Sequence, residues 1–354
     1  MRLLDLFPAA DGPSRYGIHT LSEYRSCPYK WGLHNLPIIE SAPIEGVRVA
    51  GEHTKGSAFH IGAKSLYTQR CQVPSTGQWT EDHGQWDLDA ALQEARLYLM
   101  GTIDQWSDPE EYEEAQAEVA DWLTNYDRRY GPKGLAPEFP LVQVYCDETG
   151  PWVEREFTVP LGPSGLHFTG RLDLVASWQG ILGPWDHKTI PPSRWSSVFI
   201  GLTLYGQPTG YILGLRRAFP HLPHGALMPF VTNGINKHPA QKPTIKSPPA
   251  FDRQATYRTA ADLTYFEQMA TQQLTEMDEK VDAWSLDVDK GMDPLDAVAL
   301  HFPRVGMMTE HCYKFGPKYV CEFEPLCGAI GHEKGSLSAF KKRPQVVGEV
   351  NEDE

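Results

Sequence analysis

The spacing of hydrophobic positions changes along the chain, and each change marks a boundary. Residues 51 to 70, containing GSAFHIGAKSLY, carry apolar side chains at helical spacing. Residues 86 to 130 continue that texture in two amphipathic pieces, broken near Ser107-Asp108-Pro109. The period then shortens. LVQVYC, WVEREFTVPL, LHFTGRLDLVAS and GILGPWDHK are rich in Val, Leu, Phe and Trp and are separated by turns at Glu148-Thr149-Gly150, Gly162-Pro163-Ser164-Gly165 and Gln179-Gly180. This pattern predicts an antiparallel run of strands. A helix near 203 to 217 and a strand, GALMPFVTN, follow. Residues 234 to 254 hold four prolines and few large apolar side chains, which predicts a surface loop, and a long helix follows over about 257 to 285. At the front, Thr20 or Ser22 is positioned to cap a short helix carrying Tyr24 and Cys27.

With 354 residues the chain can bury a core without disulfides. MRLLDLFPAADGPS sets an acid inside a very short apolar run, so it does not read as a signal peptide. No apolar stretch approaches the roughly 18 to 20 residues of a membrane span. The expectation is a soluble, cytoplasmic protein, in which cysteines serve as metal ligands or thiols. The net charge of -14 argues against tight, nonspecific duplex binding. Local charge is uneven, however. Acids gather in residues 107 to 121 and in GEVNEDE, and bases at Arg216, Arg217, NKHPAQKPTIK and FKKRP.

Candidate chemistry centres on Asp173, Asp186 and Lys188. Asp186 and Lys188 are two apart on a predicted strand, so they leave the same face of the sheet. The turn at Gln179-Gly180 folds the preceding strand back and brings Asp173 beside them. Two convergent carboxylates suit Mg²⁺ or Mn²⁺, and a lysine beside the ion can serve the attacking water. Four further positions stand around this group: His60 in mid-helix, Glu154 on the strand before Asp173, and Gln207 and Tyr211 four apart on one helical turn. Taken singly, each has a structural alternative: an interior histidine, a solvated strand edge shared by Glu154 and Glu156, a packed helix start. Cys27 precedes this region and Cys312, Cys321 and Cys327 follow it. Four thiolates suit a structural zinc or an iron-sulfur cluster, and spacing alone does not choose. Cys71 and Cys146 read as ordinary buried or part-buried thiols.

Taken in order, His60, Glu154, Gly170-x-x-Asp173, Asp186-x-Lys188 and Gln207-x-x-x-Tyr211 resemble the RecB-type branch of the PD-(D/E)xK nuclease superfamily. The cysteines resemble those of its iron-sulfur members, which include the AddB nuclease domain and the CRISPR-adaptation nucleases. The loop between Cys312 and Cys321 is longer than in the commonest form of that motif. The resemblance implies an α/β fold, a central mixed sheet flanked by helices, with the terminal segments joined through a four-cysteine 4Fe-4S cluster. It implies that His60, Asp173 and Asp186 bind Mg²⁺ or Mn²⁺ with Glu154 in support. Lys188 would then serve the nucleophilic water, and Gln207 and Tyr211 would position the substrate.

The implied organisation is an N-terminal segment, 1–50, with the first cluster cysteine and a nuclease core, 51–233, with a helical insertion at about 85–130. A Pro-rich loop (234–256), a helical and cluster-binding region (257–340) and an acidic tail (341–354) complete it. The implied activity is metal-dependent exonucleolytic attack on single-stranded DNA ends in recombination, replication or repair, with a protein partner in such a complex and no membrane. A noncatalytic cluster-containing DNA-binding or scaffold protein, and an RNA nuclease, are the alternatives.

Overall fold

The computed structural model describes residues 17–36, 38–40, 51–68, 86–106, 108–131, 133, 144–147, 149–161, 165–202, 206–222, 225–239, 249–303 and 341–342. The chain forms two compact units. One comprises Met1–Val47, Gly162–Leu166 and Ala270–Glu354, and the other comprises Arg48–Leu161 and His167–Met269. The described elements begin with α1 (Ile18–Ser26), α2 (Pro28–Asn35), β1 (Ile39–Glu40), α3 (Gly51–Thr68), α4 (Leu88–Met100) and α5 (Pro109–Tyr130). Next come β2 (Cys146–Asp147), β3 (Gly150–Pro151), β4 (Val153–Leu161), β5 (Leu166–Trp178), β6 (Ile181–Ile190), α6 (Trp195–Gly201) and α7 (Gly206–Ala218). The last are β7 (Met228–Asn236), β8 (Phe251–Arg258), α8 (Ala260–Asp289), α9 (Pro294–His301) and β9 (Lys341–Lys342).

The larger unit is built on a five-stranded mixed sheet of order β4-β5-β6-β7-β8. The β5–β6 and β7–β8 pairs are antiparallel, whereas β6 and β7 run parallel. A parallel pair needs a crossover, and α6 and α7 supply it. The β5–β6 hairpin turns on Gln179 and Gly180, whose φ angles of 51° and 80° both lie in the left-handed region. That is the type I′ geometry whose twist matches paired strands, and glycine meets its demand without strain. Helices α3, α4 and α5 cover one face of the sheet, where Leu174, Ala176, Trp185, Val231 and Ile235 join their buried residues in one core. Alternate positions of β7 face the other way, and Gly234 meets Trp195 and Phe199 of α6. Every residue of β7 is therefore buried, as a strand covered on both faces must be.

The helical starts follow local chemistry. Asp87 accepts from the Ala90 amide and Asp108 from the Glu110 amide, and Pro109 occupies the first turn of α5. The acid run of residues 107 to 121 lies largely on this helix, with Glu110 and Glu111 in the first turn and Arg128 and Arg129 in the last, the order its dipole favours.

Two expectations need correction. Residues 234–236 and 251–254 lie not in a loop but in β7 and β8, which pair from Met228↔Arg258 to Ile235↔Phe251. FDRQATYR is too polar to register as a strand from composition, because its inward polar side chains are held by hydrogen bonds, Arg253 to Asn233 and Arg258 to Thr209 and Thr256. Cys146 is disulfide-bonded rather than an ordinary thiol, and its partner lies outside the described residues, as does Cys71.

In the smaller unit the Tyr24 hydroxyl donates to Glu276 Oε1 at 2.8 Å, and Trp31 packs on Phe302 with ring centroids 5.6 Å apart. Gly32 admits this contact, since a Cβ there would come within 3.2 Å of Phe302 and Val298. The α1 helix starts at Ile18 with Gly17 as its cap, ahead of both Thr20 and Ser22, and ends before Cys27. Cys27 instead caps α2, its Sγ accepting from the Lys30 amide at 3.4 Å. Cys312, Cys321 and Cys327 lie outside the described residues.

Candidate active site

Asp186 and Lys188 alternate on β6 with His187, and the alternation sends them to different environments. Asp186 is buried and accepts from Gln207 Nε2 of α7 at 3.2 Å. Lys188 Nζ lies 2.8 Å from Asp186 Oδ2. Among the described residues that oxygen has no partner at hydrogen-bonding angles, so the contact with Lys188 is an electrostatic one. His187 points the other way, into the core beneath α3 and α5, with Nε2 3.4 Å from the Tyr126 hydroxyl. Its main-chain N–H reaches across to β5 and donates to Asp173 Oδ2 at 2.8 Å.

Asp173 is the centre of a second group. His60 of α3 places Nδ1 3.3 Å from Asp173 Oδ2. Glu154 joins from β4, so that donor atoms of His60, Glu154 and Asp173 all lie within 4.8 Å of one another. Glu154 holds a φ of 53°, which is costly for a residue with a Cβ. Its carboxylate is fixed by Arg171 Nε at 2.7 Å.

Burial and crowding act on the three groups together. Asp173 is pushed up to about 7, first by burial and then by the charge of Asp186, with the His187 amide pulling the other way. Burial also raises Glu154, helped by Asp173 and opposed by Arg171, His60 and Lys64. His60 is lowered by burial, against the nearby charges of Asp186 and Glu154 and a hydrogen bond to the His187 main chain. One imidazole and two carboxylates that resist ionising together form a donor set that a divalent cation would relieve. The residues present therefore fit Mg²⁺ or Mn²⁺.

The sequence places His60, Asp173 and Asp186 as ligands with Glu154 in support. The structure brings His60, Glu154 and Asp173 into one donor cluster, while Asp186 contacts Lys188 and Gln207. Gln207, expected beside substrate, touches Asp186, and a side-chain hydrogen bond links it to Tyr211. Tyr211 is buried and its hydroxyl is pushed up by burial and by Asp186 and Asp173, which puts it within their field. Phe157 explains Gly170 of the Gly170-x-x-Asp173 step and Gly214 of α7: a Cβ at either would meet its ring at 2.4 Å. The residues that sequence reasoning missed are Arg171 and His187. Arg171 sits inside the Gly170-x-x-Asp173 step and His187 between the two motif residues of β6, so proximity in sequence was the available signal.

No curated protein matches the chain. The description of the PD-(D/E)XK nuclease superfamily, whose members are generally metal-dependent nucleases, matches residues 18–328. That span takes in His60, Glu154, Asp173, Asp186, Lys188, Gln207 and Tyr211 on a mixed sheet of the matching kind. The chain belongs to the PD-(D/E)XK nuclease superfamily.

Proposed function

We propose that the protein is a metal-dependent deoxyribonuclease acting as an exonuclease on single-stranded DNA ends, within the RecB-type branch that carries a 4Fe-4S cluster. The observation that carries this reading is the convergence of His60, Glu154 and Asp173 within 4.8 Å, beside the Asp186–Lys188 pair. His60, Glu154 and Asp173 would hold Mg²⁺ or Mn²⁺, with Asp186 completing the site. When bound, such an ion lowers the pKa of water and offsets charge on a phosphate oxygen. Lys188 carries its cation two positions beyond Asp186, where it can orient the attacking water and balance charge in the transition state. Gln207 fixes the Asp186 carboxylate and, with Tyr211, forms the wall against which the scissile strand lies.

The strand also needs cations to neutralise phosphates in a chain of net charge -14. Lys64 follows His60 by one helical turn, is exposed, and acts electrostatically on Glu154. Arg171 is half-exposed beside the same carboxylate. The two would meet flanking phosphates, and a protein partner in a recombination or replication complex would offset the remaining acidic surface.

Cys27, Cys312, Cys321 and Cys327 would hold the cluster. Cys27 stands at the N-terminus of α2, its Sγ accepting from the Lys30 amide. The test of end-dependence and substrate compares linear single-stranded DNA, covalently closed single-stranded DNA and linear RNA in the presence of Mn²⁺. Degradation of the linear DNA alone is the expected result. Equal cleavage of the circle would replace the exonuclease with an endonuclease, and cleavage of RNA alone would replace the substrate.

A further inference from the structure

Behind the carboxylate cluster a polar chain runs through an otherwise apolar core. The Tyr126 hydroxyl of α5 accepts from Asn233 Nδ2 of β7 at 2.6 Å and pairs with the Tyr67 hydroxyl of α3 at 2.6 Å. It also lies 3.4 Å from His187 Nε2. Asn233 in turn accepts from Arg253 Nε of β8 at 3.3 Å. The Arg253 guanidinium lies 3.5 Å from the centroid of the Tyr130 ring, and its buried Nη1 has no hydrogen-bond partner among the described residues. The surroundings are the apolar cluster of the sheet's α3–α5 face.

Such a network is costly in this place. Buried polar groups lose their hydration, and a cationic side chain with an unsatisfied donor loses more. Replacing buried charged groups by apolar side chains of similar volume is often neutral or stabilising. What the network does hold is His187, whose ring is enclosed by Phe59, Tyr67 and Tyr126. His187 meets the site mainly through its main chain, whose N–H donates to Asp173 Oδ2 and which also hydrogen-bonds the His60 ring, while its ring Nδ1 lies 3.9 Å from Asp173 Oδ2. Two of the three clustered donors are thereby oriented by one residue. The order of the chain is then Arg253, Asn233, Tyr126, His187, and finally Asp173 with His60.

We propose that Tyr126 and Asn233 are positioning residues of the nuclease: through the His187 ring they fix the main chain that orients Asp173 and His60. This rests on the metal-dependent reading above. It also gives the helical insertion at about 85–130 a role in the site, since α5 supplies the hydroxyl at the centre of the network.

The test is Tyr126→Phe, which removes one oxygen and keeps the ring. Outer partners of metal ligands commonly change affinity by about 10- to 100-fold. Mn²⁺ binding by calorimetry should therefore weaken by at least about tenfold, with the Mn²⁺ concentration for half-maximal cleavage rising in step. Tyr67→Phe removes a hydroxyl from the same core without touching His187 by a hydrogen bond, and should change Mn²⁺ affinity by less. A merely structural role lowers the melting temperature of both variants and leaves the Mn²⁺ titration of each unchanged, and that result would overturn the proposal. If Tyr126→Phe fails to fold, Arg253→Lys reports the same quantity, because it keeps the charge and loses the Nε contact to Asn233. Unchanged Mn²⁺ binding in a variant beside normal binding in the wild type overturns this proposal alone. A wild type that binds no more Mn²⁺ than Asp173→Asn overturns it together with the nuclease reading.

Discussion

Replacing Asp173 with Asn should stabilise the metal-free protein while removing its response to metal. In the fold the carboxyl is pushed up to about 7, from a reference of 3.8, by burial and by Asp186. A raised folded-state pKa means that the folded chain holds its proton more tightly than the unfolded one. The stability this contributes is complete below about pH 4 and is lost as pH rises to about 7. At 1.36 kcal/mol per unit the loss is about 4 kcal/mol at most near pH 8. The amide of Asn has no charge to lose and can still accept from His187 N–H, so the variant should recover about 1 to 3 kcal/mol of it. At about 2 °C per kcal/mol, the melting temperature near pH 8 in EDTA should rise by about 2 to 6 °C, and the difference should shrink near pH 4. Adding Mn²⁺ reverses the order: at a hundredfold excess over Kd the wild type gains about 2.7 kcal/mol and the variant gains little. Thermal melts at the two pH values, with EDTA or Mn²⁺, check all of this. A variant less stable than wild type near pH 8 in EDTA, or one stabilised equally by Mn²⁺, would refute the reasoning.

Other expectations follow from the same geometry. Asp186→Asn should lose cleavage and retain its sheet by circular dichroism, because only the Lys188 and Gln207 contacts change. Lys64→Ala should bind single-stranded DNA more weakly and reduce the slope of log affinity against log salt by about 0.7, the value for one phosphate contact, in filter-binding titrations. An unchanged slope would place Lys64 off the strand. Protein purified without oxygen should contain iron and sulfide, and Cys27→Ser should lose both, together with stability. One zinc per chain without iron would remove the cluster and leave the nuclease core standing.

Much of this site was legible because its spacing is local. Asp186 and Lys188 lie two apart on β6, and Gln207 and Tyr211 lie four apart on α7, so strand and helix periods alone place each pair on one face. The β5–β6 hairpin was legible for the same reason, its Gln179-Gly180 turn being fixed by two left-handed residues. What local spacing does not carry is partnership between distant segments. Tyr126, Asn233 and Arg253 stand 107 and 20 residues apart along the chain, and nothing in a helical or strand pattern pairs them. Asn233 reads as an ordinary polar position near a strand end until β7 is found covered on both faces. The polar sequence of β8 hid a strand for a related reason: its pairing with β7 is made by backbone, and several of its inward positions are polar side chains hydrogen-bonded to distant partners, Arg253 to Asn233 and Arg258 to Thr209.

The most direct measurement is cleavage of end-labelled single-stranded DNA by wild type and Lys188→Ala, each with Mn²⁺ and with EDTA. The account predicts cleavage by wild type only with Mn²⁺. It predicts a loss of about a hundredfold or more in Lys188→Ala at undiminished Mn²⁺ binding. Cleavage that persists in EDTA, or full activity in Lys188→Ala, would contradict it.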